Sequence, residues 1–243
     1  TSALLAQPYD HENSYGATYG AHRAALEFGL DDYRACMGTA AQAGVACFAT
    51  AFDEDSARFL VEQVHVKALK IASGALTDAP LLRAVSEYAL PIIMSTGGGT
   101  LADIDRAVDI VGDCPHALLH CTSEYPLTPA NANLRMVLTL RERYPQTVIG
   151  FSSHSPGLAF SLVAYAFGAR IIEHHVTLNR ASKGTDHGFS LEPKGLATLV
   201  DDLHKLEAAM GDGVKQFYPS ERGPIGKMRR VQTAEGWRIA GHR

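Results

Sequence analysis

Six short apolar runs punctuate the chain, at residues 45–51, 68–72, 91–95, 117–121, 147–151 and 170–176. Each ends in a polar residue and gives way to a stretch with helical spacing. Runs of this length, rich in β-branched residues and bounded by turn formers, read as strands. ALPIIMSTGGG (89–99) and PQTVIGFSSHSPG (145–157) are the clearest. The intervening stretches predict helices over 53–63, 78–88, 101–111, 130–144, 157–167 and 193–210. In 130–144, Leu134, Val137, Leu138 and Leu140 recur at helical intervals, with Arg135, Arg141 and Glu142 between them. One more helix is predicted over 30–43, before the first strand. Upstream of it, HENSYGATYGAHR (11–23) carries Gly and Asn without alternation and reads as a loop.

Strict β–α alternation implies parallel strands joined by right-handed crossovers. The expected fold class is α/β, a (β/α)8 TIM barrel, and 243 residues is close to the usual length of one such barrel. Only six units are visible. Strands 1 and 2 of the barrel, with the first helix, are therefore expected to be missing from the chain as given. The alternative is an open six-unit sheet, which would leave long parallel edges exposed, a hazard natural folds avoid. Residues 1–210 are expected to form the barrel domain. Residues 211–243, rich in Gly, Arg and Pro with little periodicity, read as a tail or linker.

Composition narrows the function. Hydrophobic residues make up 46% of the chain, enough for a full core, and the net charge of −4 offers no basic footprint for nucleic acid. No apolar stretch approaches the ~20 residues that span a bilayer. TSALLAQPYD (1–10) has neither the basic start nor the long apolar centre of a signal peptide. Of the four cysteines, Cys36, Cys47, Cys114 and Cys121, none forms a Cys-x-x-Cys pair. Cys47 and Cys121 lie within predicted strands and are expected to be buried free thiols, which suits a reducing, cytoplasmic setting.

In a β/α barrel the C-terminal strand ends converge on one site. At or just past them here stand Thr50, Lys70, Ser95, Thr96, His120, Ser123, Tyr125, Ser152, His154 and His175. His154 follows one strand and His175 ends the next, 21 residues on, so both imidazoles can face one cavity and share a divalent metal. His174 should point to the opposite face, because strand side chains alternate. Glu173 should share the face of His175. Lys70, inside the apolar run ALKIAS, would be costly to bury without an anionic partner. With Thr50, Ser95, Thr96, Ser123 and Ser152 it makes an anion-binding set. Those hydroxyls could instead cap the helices that follow.

The segments HCTSEYPLTP (120–129), GFSSHSPG (150–157), IIEHHVTLNRASKGTDHGFSLEP (171–193), LKIASGALTDAPLL (69–82) and IIMSTGGGTLADI (92–104) resemble the N-acetylneuraminate (sialic acid) synthase family from about residue 19 to residue 192. The resemblance implies a transferase that condenses phosphoenolpyruvate with an N-acetylated amino sugar to a nine-carbon 2-keto acid and phosphate. It implies that His154 and His175 hold a divalent metal, usually Mn²⁺. It implies that Thr50, Lys70, Ser95, Ser123 and Ser152 line the phosphoenolpyruvate site, and that Tyr125 and Asp186 meet the acceptor sugar with His187 and Glu173 beside them. A homodimer in the cytoplasm is implied as well.

Several positions depart from the family pattern. Ser123 stands where Asn is common, and Ala75 where a Glu meets the sugar. Ser152-Ser153-His154 replaces Ser-Asp-His, and Gly184-Thr185-Asp186 replaces Gly-Pro-Asp. The first-strand Glu-Ile-Gly-x-Asn-His motif, the second-strand Lys-x-Gln and the C-terminal antifreeze-like module have no counterpart in these residues. The loss of a carboxylate at Ala75 points to a less polar acceptor such as a 6-deoxy diacetamido sugar, with N-acetylmannosamine the default if another residue replaces that carboxylate. Two other readings share much of this chemistry. One is a phosphoenolpyruvate aldol synthase of the 3-deoxy octulosonate or heptulosonate type. The other is a non-catalytic barrel that binds a sugar phosphate.

Overall fold

A computed structural model describes residues 2–114 and 116–239. The chain divides into two compact units, Thr1–Leu206 and Glu207–Arg243. In the first, six parallel strands run in sequence order: β1 (Ala49–Ala51), β2 (Leu69–Ile71), β3 (Ile92–Ser95), β4 (His116–Cys121), β5 (Val148–Ser153) and β6 (Ile171–His174). This is a curled, TIM-barrel-like α/β sheet of six strands. Helices α1 (Ser2–Leu5), α2 (Tyr19–Leu26) and α3 (Leu30–Gln42) precede it. Helices α4 (Glu54–Phe59), α5 (Ala79–Glu87), α6 (Leu101–Val111), α7 (Met136–Arg143) and α8 (Ala159–Ala166) connect successive strands, and α9 (Pro193–Met210) follows β6.

The two faces of the sheet do different work. Leu69, Ile71, Ile92, Met94, Leu118, Ile149 and Phe151 point outward and pack on Leu81, Leu82 and Val85 of α5, Ile104 and Val111 of α6, and Val137 and Leu140 of α7. The alternate positions, Lys70, Ser95, Cys121, Ser152 and Glu173, therefore face inward. Cys121, Ser152 and Glu173 are register partners across β4, β5 and β6. One layer below them sits Gly150. A Cβ there would meet Leu119 Cδ2 at 2.3 Å and the Ile171 carbonyl at 2.6 Å. The glycine lets those neighbours fill the inner layer and supports the polar layer above it.

Local chemistry explains where the elements stop. Asp53, Asp78 and Thr100 cap α4, α5 and α6 by accepting from the backbone N–H three residues on. Helix α4 runs into a π-helical turn, Leu60–Val64, which ends at left-handed His65. The predicted helix 130–144 is shorter than expected: Asn133 takes φ 37°, which breaks the run, and α7 begins only at Met136. Asn tolerates that conformation better than most residues. The first strand is also shorter than its apolar run, and Val45 and Phe48 are exposed. Cys47 consequently lies before β1 and is half-buried rather than buried; Cys121 is buried.

Two stretches read as irregular carry structure. Residues 19–26, partly inside the predicted loop, form α2, because Thr18 caps it by accepting from Ala21 N–H at 3.1 Å. The second unit holds α10 (Arg222–Met228) and an antiparallel hairpin of β7 (Arg230–Thr233) and β8 (Gly236–Ile239), where a plain tail was expected. Residues 240–243 of that stretch lie outside the described residues.

Candidate active site

Lys70 is 7% exposed on the inner face of β2. Its ammonium donates to Ser95 Oγ at 2.7 Å and to the Ile71 carbonyl at 3.3 Å, and lies 3.4 Å from Glu173 Oε2. The other Glu173 oxygen accepts from Ser152 Oγ at 2.6 Å. Four strands thus contribute to one network. Burying an ammonium is costly unless it is paired and hydrogen-bonded, and this one is both. The hydroxyls of Ser95 and Ser152 are committed to charged groups and cap no helix. Thr96 differs: its hydroxyl donates to the Leu119 carbonyl at 3.0 Å and serves the backbone.

A second group of donors stands beside this network. Gly97 N–H donates to Ser73 Oγ at 3.0 Å. A Cβ on Gly97 would meet Ser123 Oγ at 2.3 Å and Ser73 Oγ at 2.8 Å, so the two hydroxyls close on a bare backbone. Cys121 lies between them and the lysine network; burial pushes its thiol up, while Ser73, Ser152 and Lys70 hold it down. Ser73 and Cys121 were not among the expected site residues. Ser73 falls three residues after Lys70, just beyond the strand, and that spacing was the available signal.

The two expected metal ligands come together. The His154 and His175 rings are 5.2 Å apart, centroid to centroid, and inclined by 76°. His154 is buried, and burial holds its imidazole below the ordinary value, so it is neutral at pH 7. Its Nδ1 lies 3.0 Å from the Thr122 carbonyl and donates to it, which leaves the Nε2 lone pair free. His175 Nδ1 lies 3.5 Å from Asp186 Oδ2. A neutral imidazole with a free lone pair beside a second imidazole suits a borderline divalent cation. No cluster of three or more His, Cys, Asp or Glu with metal-ligand geometry occurs among the described residues.

Tyr125 packs its ring 4.0 Å from that of His154, and burial raises its phenol above the ordinary value. Its loop is braced by Glu124, which accepts from Thr128 Oγ1 at 2.6 Å and Asn131 Nδ2 at 3.0 Å. Leu127 N–H donates to the His154 carbonyl at 3.0 Å and ties this loop to β5. Phe189 closes the other side, 5.1 Å from His175. His174 points away from the site: its Nε2 lies 2.6 Å from Ser161 Oγ of α8, and burial lowers its imidazole to about 4.

His175 and Asp186 also line a cavity of about 300 Å³, walled by the 183–190 loop and by residues 9–26. His187 stands in it, with Nδ1 2.7 Å from Thr177 Oγ1. That hydroxyl already donates to the Asn179 carbonyl, so His187 Nδ1 is the donor and its Nε2 lone pair is free. Gly184, at φ 150°, has the ring edge where a Cβ would be. Two expected positions lie elsewhere. Thr50 pairs in register with Lys70 but lines a separate cavity with Phe52, Asp53 and Tyr33. Ala75 is buried in the apolar cluster behind β2 and lines neither cavity.

Comparison with known proteins places this geometry. Residues 2–215 match the model of the NeuB family. The chain is 37% identical over 219 residues to N-acetylneuraminate-9-phosphate synthase of Mus musculus, covering 89% of this chain and 61% of that protein. It is 34% identical over 217 residues to N,N'-diacetyllegionaminic acid synthase of Campylobacter jejuni, covering 86% and 64%. The chain therefore spans less than two thirds of these relatives' length. Among solved structures, the N-acetylneuraminic acid synthetase of Leptospira borgpetersenii in complex with citrate superposes with a TM-score of 0.78 at 35% identity, covering 87% of this chain and 75% of that one.

Proposed function

Because the chain belongs to the NeuB family, we propose that it forms the catalytic barrel of a sialic acid-type synthase. The reaction joins phosphoenolpyruvate to the open-chain aldehyde of an N-acetylated amino sugar, giving a nine-carbon 2-keto acid and inorganic phosphate. One observation carries the proposal: a buried lysine, bonded to Ser95 and facing Glu173, shares the inner face with the paired imidazoles of His154 and His175.

Lys70, Ser95, Ser73 and Ser123 are placed to hold the phosphate and carboxylate of phosphoenolpyruvate by charge-assisted hydrogen bonds. This orients the methylene carbon toward the aldehyde carbon; the enol π electrons form the new C–C bond as the aldehyde π bond opens, and the former aldehyde oxygen takes up a proton to become a hydroxyl. The cation left at the phosphate-bearing carbon takes up water. Glu173, anchored by Ser152, is placed to accept the water's proton. Collapse of the tetrahedral adduct expels phosphate, whose charge Lys70 balances. A divalent cation on His154 and His175, Mn²⁺ first among candidates, would supply Lewis-acid polarisation of the aldehyde oxygen. Tyr125, Asp186 and His187 are the proposed acceptor contacts.

N-acetylmannosamine, its phosphate ester and a 6-deoxy diacetamido sugar are the acceptors in question. Burial of Ala75 moves that choice away from position 75 and towards the cavity beyond His175. Among the described residues, no helix is long and apolar enough to cross a membrane. Four free cysteines suit a reducing compartment, and the cytoplasm and a homodimer belong to the same reading. The test is mass spectrometry of products from phosphoenolpyruvate with a panel of N-acetylated hexosamines and simple aldose phosphates. A nine-carbon 2-keto acid is expected. Products only from a pentose or tetrose phosphate would assign the chain to octulosonate or heptulosonate chemistry instead.

A further inference from the structure

Cys121 ends β4 on the inner face, 6% exposed, beside the lysine network yet without a part in the chemistry proposed above. Its register partner is Ser152, whose own partner is Glu173. The thiol is hydrogen-bonded to the hydroxyls of Ser152 and of Ser73, which stands just beyond β2. Counting protons fixes the direction of each bond. A hydroxyl carries one proton and two lone pairs. Ser152 spends its proton on Glu173 Oε1, 2.6 Å away, so towards Cys121 it can only accept. The thiol is therefore the donor to Ser152, and its sulfur is left as an acceptor.

Ser73 Oγ accepts from Gly97 N–H at 3.0 Å, which leaves its proton for that sulfur. Burial pushes the Cys121 thiol up, so it keeps the proton it donates at pH 7. A one-way chain results. Ser73 donates to Cys121, Cys121 to Ser152 and Ser152 to Glu173, whose other oxygen lies 3.4 Å from Lys70. The chain starts just past β2, crosses β4, β5 and β6, and returns to β2 at Lys70. With the thiol donating to it, Ser152 has an acceptor lone pair filled and its proton turned to Glu173. Without that donor the Ser152 hydroxyl is free to rotate, and the carboxylate loses a fixed partner.

We propose that Cys121 is a positioning residue for the synthase reaction: its S–H bond turns the Ser152 proton onto Glu173 and so holds that carboxylate where it accepts the water's proton, while its sulfur holds the Ser73 hydroxyl on the phosphate side. The thiol acts through its neighbours and touches no reacting atom. The inference rests on the synthase reading above.

Infrared spectroscopy and steady-state kinetics of the intact chain test it. The S–H stretch of Cys121, isolated by subtracting the Cys121→Ser spectrum, should lie below that of an unbonded thiol and move up in Ser152→Ala. Kinetics are measured with phosphoenolpyruvate and the best acceptor of the hexosamine panel. Cys121→Val, of similar bulk and suited to a strand, should lower kcat about three- to ten-fold, as loss of one weak hydrogen bond predicts. The KM for phosphoenolpyruvate should hold, because the Lys70–Ser95 bond does not pass through the thiol. Cys121→Ser, which still donates and accepts, should recover most of the loss; a side chain that merely filled space would be replaced better by valine. An unbonded stretch, a stretch unmoved by Ser152→Ala, a valine variant as fast as the parent, a serine variant no faster than valine, or a loss confined to KM overturns the proposal. A parent that turns over no acceptor sinks the synthase reading instead, while the infrared comparison, which needs no turnover, still decides the thiol's bonds.

Discussion

Lys70 illustrates how one side chain can be costly to fold and useful once folded. Its ammonium is held by Ser95, the Ile71 carbonyl and Glu173, so the fold itself fixes its orientation. Lys70→Met should weaken phosphoenolpyruvate binding about ten- to a hundred-fold and leave acceptor binding unchanged, as calorimetry would show. An unchanged phosphoenolpyruvate affinity would remove Lys70 from the site. Gly97 offers a steric counterpart. Gly97→Ala should drive a methyl into Ser73 and Ser123 and weaken phosphoenolpyruvate while the melting temperature holds, since the clash falls on site hydroxyls. At the imidazole pair, His154→Ala and His175→Ala should each abolish Mn²⁺ binding measured by paramagnetic relaxation of water. Retention of Mn²⁺ in both variants would end the assignment of that pair.

At the scale of elements, side chains on the outer face hold the helices that set the strand ends. Ser161→Ala removes the partner of the His174 ring and loosens α8 from β6, at a cost of about 1 kcal/mol in chemical denaturation. A variant as stable as the parent would show the contact to be neutral. Between α6 and α7, Asp105 accepts from Arg143 Nε at 2.8 Å and Tyr144 Oη at 2.6 Å. These bonds hold its carboxyl at about 2, below the ordinary 3.8. A depressed folded value stabilises at pH above the unfolded value and is lost as pH falls through the folded one. The acid limb between pH 3.8 and about 2 should therefore be steeper in the parent than in Asp105→Asn, and the two should converge below it. The pair is solvent-exposed, so the difference should shrink in high salt. Parallel acid limbs would show that Asp105 does not contribute.

For the whole molecule, the core belongs to the first unit. No described residue of the second unit is fully buried, and its hairpin is exposed on every strand position. Truncation after Met210 should leave thermal unfolding and phosphoenolpyruvate affinity unchanged. A marked drop in melting temperature would show that the hairpin unit supports the barrel.

The sequence by itself determined the alternation of six strands and their helices, because apolar periodicity and capping residues such as Asp53, Asp78 and Thr100 act over a few positions. It also placed Lys70, Ser95, Ser152, Glu173, His154 and His175 on strand ends, since alternation within a strand assigns faces without knowing the partner strand. Other features depended on how separate segments met. Ser73 and Ser123 close on Gly97 only through the approach of three loops. Thr50 and Ala75 sit on the right elements, yet one lines a different cavity and the other is buried in the core. The polar stretch 11–23 carries no periodicity to read. It became a wall of the cavity beyond His175 through hydrogen bonds to residues about 170 positions away, and contacts at that separation are set by tertiary packing, not by local pattern.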